Sequence, residues 1–362
     1  MKICFLTHDL RHDYGAGVFS HRLVRGVRDN GNEVVVLTSE SSGSPFEQAI
    51  LYPHKVKLLR EFFRIRRMMK ACDIIHALDG FPYGILAVFL SWGLGKKVII
   101  TGVGSGAIHP LYQPFWKLLM QYSYRSADRV TAISHFTKQE ILKKVPSISI
   151  QVINHGVDAK HFERAYKGAG ELAAYQPYLL SVGTLRWRKG YHFSIRAFAK
   201  VAAEFPDLNY VIVGKKYKED YYVRLQNLID ELHLRNRIFI LENINDTKHL
   251  AEVYTSAELF CLFSQNVGHD VEGFGLVFLE AAAAGLPVVG VKNCGIDDAV
   301  RDGENGILVA TRNPDDFANA LGAILRDLEL KKRMSEQSLF FAKECIWEKR
   351  VREYIDIYKQ LV

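Results

Sequence analysis

Short, almost wholly apolar runs recur along the chain, separated by helix-like stretches, and this recurrence constrains the fold more than any other feature. KICFLTH (2–8), EVVVLTS (33–39), DIIHAL (73–78), KVIITG (97–102) and RVTAIS (129–134) form a first set. YLLSVG (178–183), NYVIVG (209–214), RIFILE (237–242), LFCLFS (259–264) and PVVGV (287–291) form a second. A strand that is apolar at successive positions, rather than alternate ones, is buried on both faces, which is the situation in parallel sheets covered by helices. Helical patterns such as 19–31 and 194–205 lie between the runs. The alternation predicts an α/β chain. It pauses over 163–177, where Gly168, Gly170 and Pro177 break any period, and this stretch is read as the linker. The expected organisation is therefore two doubly wound domains, 1–165 and 166–346. Ligands of such sheets bind outside the carboxyl ends of the strands, so the expected site is a central cleft between the two.

Several classes are excluded early. The chain has 362 residues and five scattered cysteines without a CxxC pair, which argues against a disulfide framework and a zinc site. No window reaches the roughly 18–20 apolar residues of a spanning helix. The nearest, 81–95, contains Pro82 and reads as a buried helix. MKICFL lacks the pattern of a signal peptide and reads as a first strand. These readings point to the cytoplasm.

Charge is unevenly divided. Residues 1–170 hold 23 Lys+Arg against 13 Asp+Glu, a balance of +10, and residues 171–362 hold 24 against 27, a balance of −3. A basic first half suits an anionic partner. Its densest stretch, HKVKLLREFFRIRRMMK (54–70), can set an apolar stripe beside a cationic one on a helix. Two readings follow: a surface helix with its apolar side on the core, or a helix that lies on an anionic membrane surface, placing the protein peripherally on the inner face of the cell membrane. No nucleic-acid motif is present, and nucleic acid is not an expected partner.

The strongest chemical signal is SQNVGHDVEGFGLVFLEAAAAGLPVVG (264–290). Glu272 and Glu280 are separated by seven residues, with the turn Gly273-Phe274-Gly275 and then a helix pattern from Leu276. The glycines allow close backbone approach, and a helix start offers free amides to an anion. Glu280 can accept from paired hydroxyls, as on a ribose, and Glu272 faces whatever the phosphate carries. Desolvated sugar hydroxyls need such acceptors.

This string resembles the EX7E motif of the retaining glycosyltransferases of family four, the glycosyl transferases group 1, whose architecture is GT-B, with two Rossmann-like domains. The resemblance runs nearly the full length. By resemblance, Arg188 and Lys189 in LLSVGTLRWRKGYHFSIRAFAKV (179–201) neutralise the donor diphosphate and, with Glu272, form the catalytic set. Thr184 stands where many members carry an arginine, and Arg186 is read as a rim charge. Gly214 belongs to the glycine turn beneath the nucleotide, and Asn243 and Ile244 to the segment lining the base pocket. Gly15 and Gly17 in HDLRHDYGAGVFS (8–20) match the family's glycine pair, although Ser20 replaces the third glycine of a dinucleotide fingerprint. Val103 stands where many members carry a histidine, leaving Asp79 and His109 as acceptor-side candidates. His155 is read as structural. Asp298 stands where glutamate is usual, as a shortened contact or a cap. The last helix, about 347–362, is expected to pack back on the first domain.

The implied activity is transfer of a hexosyl group, with retention, from a UDP- or GDP-sugar to a glycan or lipid-linked acceptor in the synthesis of cell-envelope polysaccharide or glycolipid. No cofactor and no metal are expected. The competing readings are a non-catalytic nucleotide-sugar- or membrane-binding relative, against which the intact Arg188, Lys189, Glu272 and Glu280 argue, and a sugar-nucleotide epimerase or oxidoreductase, which the missing GxGxxG and the EX7E string disfavour.

Overall fold

The computed structural model describes residues 1–11, 15–52, 55–163, 171–242, 244, 246–310 and 313–362. Contacts divide the chain into two units, Met1–Gly156 with Trp347–Val362, and Val157–Ile346. The expected boundary at 165/166 falls outside the described residues.

In the first unit, strands β1 (Lys2–Thr7), β2 (Glu33–Thr38), β3 (Glu47–Ala49), β4 (Ile74–Ala77), β5 (Lys97–Gly102), β6 (Arg129–Ala132) and β7 (Ile150–Val152) form one sheet in the order β3-β2-β1-β4-β5-β6-β7. In the second, β8 (Tyr178–Val182), β9 (Asn209–Val213), β10 (Ile238–Leu241), β11 (Leu259–Cys261), β12 (Val288–Val291) and β13 (Gly306–Val309) follow the order β10-β9-β8-β11-β12-β13. Both sheets are parallel throughout, for example Ile3↔Val34 and Leu179↔Tyr210. This is the doubly wound, Rossmann-like order, with a switch point between β1 and β4 and another between β8 and β11. Every apolar run of the sequence contains one of these strands. The three unanticipated strands, β3, β7 and β13, are short and stand at sheet edges or next to them. β3 and β7, half-covered, need no two-sided apolar run, whereas β13 is the short apolar run Gly-Ile-Leu-Val, mostly buried, which the turn-rich stretch before it conceals.

The helix Trp347–Leu361 packs on the first unit against the helix Gly15–Asp29. Phe19, Leu23 and Val27 meet Val351, Tyr354 and Tyr358 in one core. Gly26 makes this closeness possible, since a Cβ there would lie 2.4 Å from Val351 Cγ2. A buried polar chain then ties the last helix to the sheet. His76 on β4 bonds through Nδ1 to Tyr358 Oη (2.8 Å) and through Nε2 to Thr101 Oγ1 (2.7 Å), and Thr101 meets Thr131 (2.7 Å). Burial lowers the His76 pKa to about 3, so its ring is neutral. His155 is lowered likewise, packed edge-on against Phe19 at 4.9 Å.

The residue order also explains Ser20. Its Oγ lies 2.7 Å from Thr7 Oγ1 at the end of β1, so the position of a third glycine is used to fasten helix to strand. The stretch 81–95 holds a turn and the short helix Ile85–Ser91 rather than a long one. Among the described residues no helix is long and apolar enough to cross a membrane.

Two outcomes follow. Tyr358→Phe removes the partner of a buried imidazole nitrogen and should cost about 1–3 kcal/mol in urea unfolding. As pH falls from about 6.5 to about 3, the unfolded chain takes up protons that His76 and His155 refuse when folded, so stability should decline across that window in thermal melts.

Candidate functional site

The carboxyl edge of the second sheet gathers four loops, after β8, β9, β11 and β12. After β8 the chain passes Gly183, pairs briefly at Leu185 with Lys216, and makes the 3-10 turn Trp187–Lys189. Gly190 closes that turn at φ 65°, and a Cβ there would sit 2.1 Å from the Phe263 carbonyl oxygen. This is a left-handed residue under a steric ceiling, which only glycine satisfies. The turn thereby aims Arg188 and Lys189 at the loop after β11. Gly214, following β9, lies so near Gly183 that a Cβ would stand 2.0 Å from the Gly183 carbonyl oxygen.

Glu272 is the meeting point. Its Oε2 accepts from Lys189 Nζ (2.6 Å), Arg188 Nη1 (2.8 Å) and Ser264 Oγ (2.8 Å). Asp270 stands 3.3 Å from Arg188 Nε. Glu272 and Lys189 are buried. Burial alone pushes the Glu272 carboxyl up, but Lys189 and Arg188 outweigh it, and the pKa falls to about 2. Lys189 goes down, because burial outweighs the carboxylate it touches and Arg188 adds to the lowering. For Arg188 burial is the opposing influence, and Glu272 with Asp270 overcomes it and raises the pKa. A buried lysine and a half-buried arginine thus share one buried carboxylate, a local charge of +1 before Asp270 is counted.

The turn after Glu272 is held from below. The Gly295 amide donates to the Glu272 carbonyl at 2.8 Å, and a Cβ on Gly295 would lie 2.1 Å from the Gly273 carbonyl oxygen. Phe274 is buried, and Gly275, at φ 85°, opens the helix Leu276–Ala283. Glu280, on that helix, accepts from the buried Tyr254 hydroxyl at 2.9 Å. Arg188, Lys189, Glu272, Gly273 and Gly275 are therefore brought together, with Glu280 on the helix that follows. Ile244 is half-buried after β10, and Asn243 lies outside the described residues. Arg186 stacks on the Tyr217 ring at 3.8 Å, beside the site rather than in it. Asp298 ends the 3-10 turn Gly295–Asp298, inside which its neighbour Asp297 accepts from the Asn293 amide at 3.1 Å.

In the first unit Gly15 begins a helix with nothing within 4 Å of a built Cβ, and Gly17 is buried in it. Asp79, after β4, accepts from the Gly80 amide (2.7 Å) and the Val103 amide (3.3 Å), fastening the loops after β4 and β5. Burial pushes its carboxyl up to about 8 against the pull of those amides. The adjacent Gly106 leaves no room for a Cβ, which would fall 2.0 Å from Asp79 Oδ2. His109 is exposed, with the Gln113 side-chain amide 2.7 Å from its Nε2.

Two family models match the chain: Glycosyltransferase Family 4 over residues 14–161, and Glycosyl transferases group 1 over residues 163–339. The chain belongs to the family-four glycosyltransferases. It is 26% identical over 374 residues to N-acetyl-alpha-D-glucosaminyl L-malate synthase of Bacillus anthracis, covering 95% of this chain and 93% of that one. It is 28% identical over 303 residues to a GDP-mannose-dependent alpha-(1-6)-phosphatidylinositol monomannoside mannosyltransferase of Mycolicibacterium smegmatis, covering 80% and 77%. Among solved structures, Anabaena HepE in complex with UDP-glucose matches with a TM-score of 0.80 at 18% identity, over 98% of this chain and 99% of that one. WaaG, a glycosyltransferase involved in lipopolysaccharide biosynthesis, matches with a TM-score of 0.73 at 17% identity, over 98% and 99%. These last two likenesses establish the fold, two Rossmann-like parallel-sheet domains of the GT-B class.

Sequence reading missed three members of the site of this family-four chain. Ser264 and Asp270 flank the cations, and Tyr254 holds Glu280. Ser264 ends the apolar run of β11, where a hydroxyl after a buried strand was the available signal. Tyr254 has none, because its partner lies 26 residues away on another helix. A further cluster in the first unit also went unread. His8, Asp9 and Glu40 present ligand atoms within 4.8 Å of one another, a spacing a metal ion accepts. Arg11 already spans its two carboxylates, at 2.8 Å from Asp9 and 3.2 Å from Glu40.

Glu272→Gln removes the counter-charge of the buried Lys189 and the half-buried Arg188. It should destabilise the protein by about 3–5 kcal/mol at pH 7, as breaking a buried pair does. Because the folded pKa lies near 2 and the ordinary value is 4.5, the wild-type advantage is complete above about 4.5 and shrinks as pH falls towards 2. Melting both proteins across that range checks the sign.

Proposed function

We propose that this glycosyltransferase moves a hexosyl group, with retention at the anomeric carbon, from a UDP- or GDP-sugar to a glycan or lipid-linked acceptor. The observation that carries the reading is the half-buried Arg188 and the buried Lys189, converging on one buried carboxylate beside the helix start at Gly275. In this reading the diphosphate takes the place of Glu272 as counter-ion of the two cations. Glu272, displaced, serves the donor sugar hydroxyls as an acceptor. The first amides of the helix Leu276–Ala283 and the glycine turn support the same phosphates. Glu280, oriented by Tyr254, accepts from the ribose hydroxyls. Gly214 and Ile244 belong to the nucleotide side, and Gly15 and Gly17 are given a donor-binding role by the family resemblance.

Negative charge builds on the departing diphosphate, and preorganised cations stabilise it there without further rearrangement. The two side chains supply the charge that a divalent metal supplies elsewhere, so no metal is needed. A departing phosphate oxygen takes the acceptor proton, on the same face of the sugar from which it leaves. Bonds balance: the glycosidic oxygen–carbon bond forms as the phosphate oxygen–carbon bond breaks, and the acceptor hydroxyl proton passes to the diphosphate. Asp79 holds the loops on the acceptor side, and exposed His109 meets the acceptor.

A thermal-shift panel of UDP-, GDP- and ADP-sugars identifies the donor, since a ligand of the folded state raises its melting temperature. With that donor, Lys189→Ala should lower kcat by about 10²–10³, and Glu280→Ala should abolish the donor-induced shift while leaving a folded protein. EDTA should leave turnover unchanged. Wild-type rates in both variants reject the site assignment. Donor binding without transfer or slow donor hydrolysis points instead to a non-catalytic relative.

A further inference from the structure

We propose that the outer face of the first unit built by three helices, Lys55–Lys70, Ile85–Ser91 and Pro114–Ser126, docks on an anionic phospholipid surface. This goes beyond the transfer reaction and does not depend on it. The helices lie side by side: the first packs on the second and the second on the third. Arg66 bridges the first pair through the Leu90 and Trp92 carbonyls at 2.8 and 2.9 Å. Phe89 and Tyr122 bridge the second, with ring centroids 5.6 Å apart.

Large apolar side chains stand out from all three. The first helix turns only Ile65 and Met69 fully to the core, while Val56, Leu59 and Phe63 form a second stripe that faces solvent, Phe63 with 78% of its surface exposed. Trp92, just beyond the short helix, is 74% exposed. Phe115 and Leu118, on the third helix, are each 68% exposed. The spacings 56-59-63 and 115-118-122 put each set on one side of its helix. A monomer rarely leaves so many large side chains together in water without a use for them.

Charge selects the occupant. The three helices with Trp92 carry nine Lys and Arg and a single acidic residue, Glu61, which is paired with Arg64. Exposed Arg60, Arg67, Lys70, Lys117 and Arg125 are among the nine. A second copy would bring the same cations against themselves, a repulsion that specific interfaces avoid. Bases could stack on Phe63, Trp92 and Phe115, but the aliphatic Val56, Leu59 and Leu118 exposed beside them give a nucleic acid nothing, whereas acyl chains take up both. Apolar anchors with a cationic surround are what an anionic bilayer surface takes up, acyl boundary against the one and headgroups against the other. The sheet adds a reason for the placement. Crossover helices run back against their strands, so the first turns of Lys55–Lys70 and Pro114–Ser126 lie at the carboxyl edge, the same edge as the loops of Asp79 and His109. A lipid-borne acceptor would thus be met at the surface that holds it.

The test is flotation of the full chain with phosphatidylcholine vesicles, with and without phosphatidylglycerol. Wild type should float with the anionic vesicles at low salt, and less as salt rises. Leu59→Gln, Phe63→Gln and Leu118→Gln combined should reduce binding at least about tenfold, with an unchanged circular dichroism spectrum and an unchanged donor-induced thermal shift. That last readout separates failure of docking from failure of the donor site. No flotation at low salt, equal flotation of the triple variant, or a dimer that the triple variant dissociates while vesicles bind neither protein overturns the proposal.

Discussion

A parallel strand cannot return to its neighbour through a tight turn. Each connection must cross the sheet, and in this chain most cross as helices that cover the faces. That single requirement makes the strands apolar on both sides, sends all their carboxyl ends to one edge, and leaves the polar chemistry to the loops there. In the second sheet those loops follow β8, β9, β11 and β12, and they carry Arg188 and Lys189, Gly214, Glu272 and Gly295 respectively. In the first sheet the same edge collects Asp79, Val103 and the His8–Asp9–Glu40 cluster.

The second-sheet site is expensive in electrostatic terms. Two cations are taken out of water and given one carboxylate, with a second, half-exposed one beside Arg188. Hydrophobic residues of the same shape would cost the fold less. The arrangement makes sense for a ligand that brings more negative charge than Glu272 supplies. Its rigidity comes from backbone packing: Gly190 beneath Phe263, Gly214 beneath Gly183 and Gly295 against Gly273 all meet where a Cβ would clash. The positioning of the side chains is thus secured by residues that have none.

The polar links inside the first unit work differently. His76, Thr101, Thr131 and Tyr358 are neutral and mutually satisfied, and they specify how the final helix seats on the sheet. Here a neutral buried network directs packing, whereas the one in the second unit is charged and gathers Arg188 and Lys189 on Glu272. Asp79 is intermediate: it reads in sequence as an acceptor-side residue, and in the structure it latches two loops through backbone amides.

By itself the sequence determined the α/β class, the strands with two buried faces, the EX7E string and its basic partners, because each of these is a local pattern of apolarity, glycine or charge. Edge strands such as β3 and β7 escaped it, since a half-covered strand has no need of an apolar run. So did Tyr254 behind Glu280, the sharing of one oxygen of Glu272 by Lys189, Arg188 and Ser264, and the choice between core and solvent for the apolar stripe legible in 54–70. Only the tertiary structure decided these, because a contact between residues 26 or 84 positions apart depends on how the sheet brings its loops to one edge, and nothing in the neighbouring residues records it.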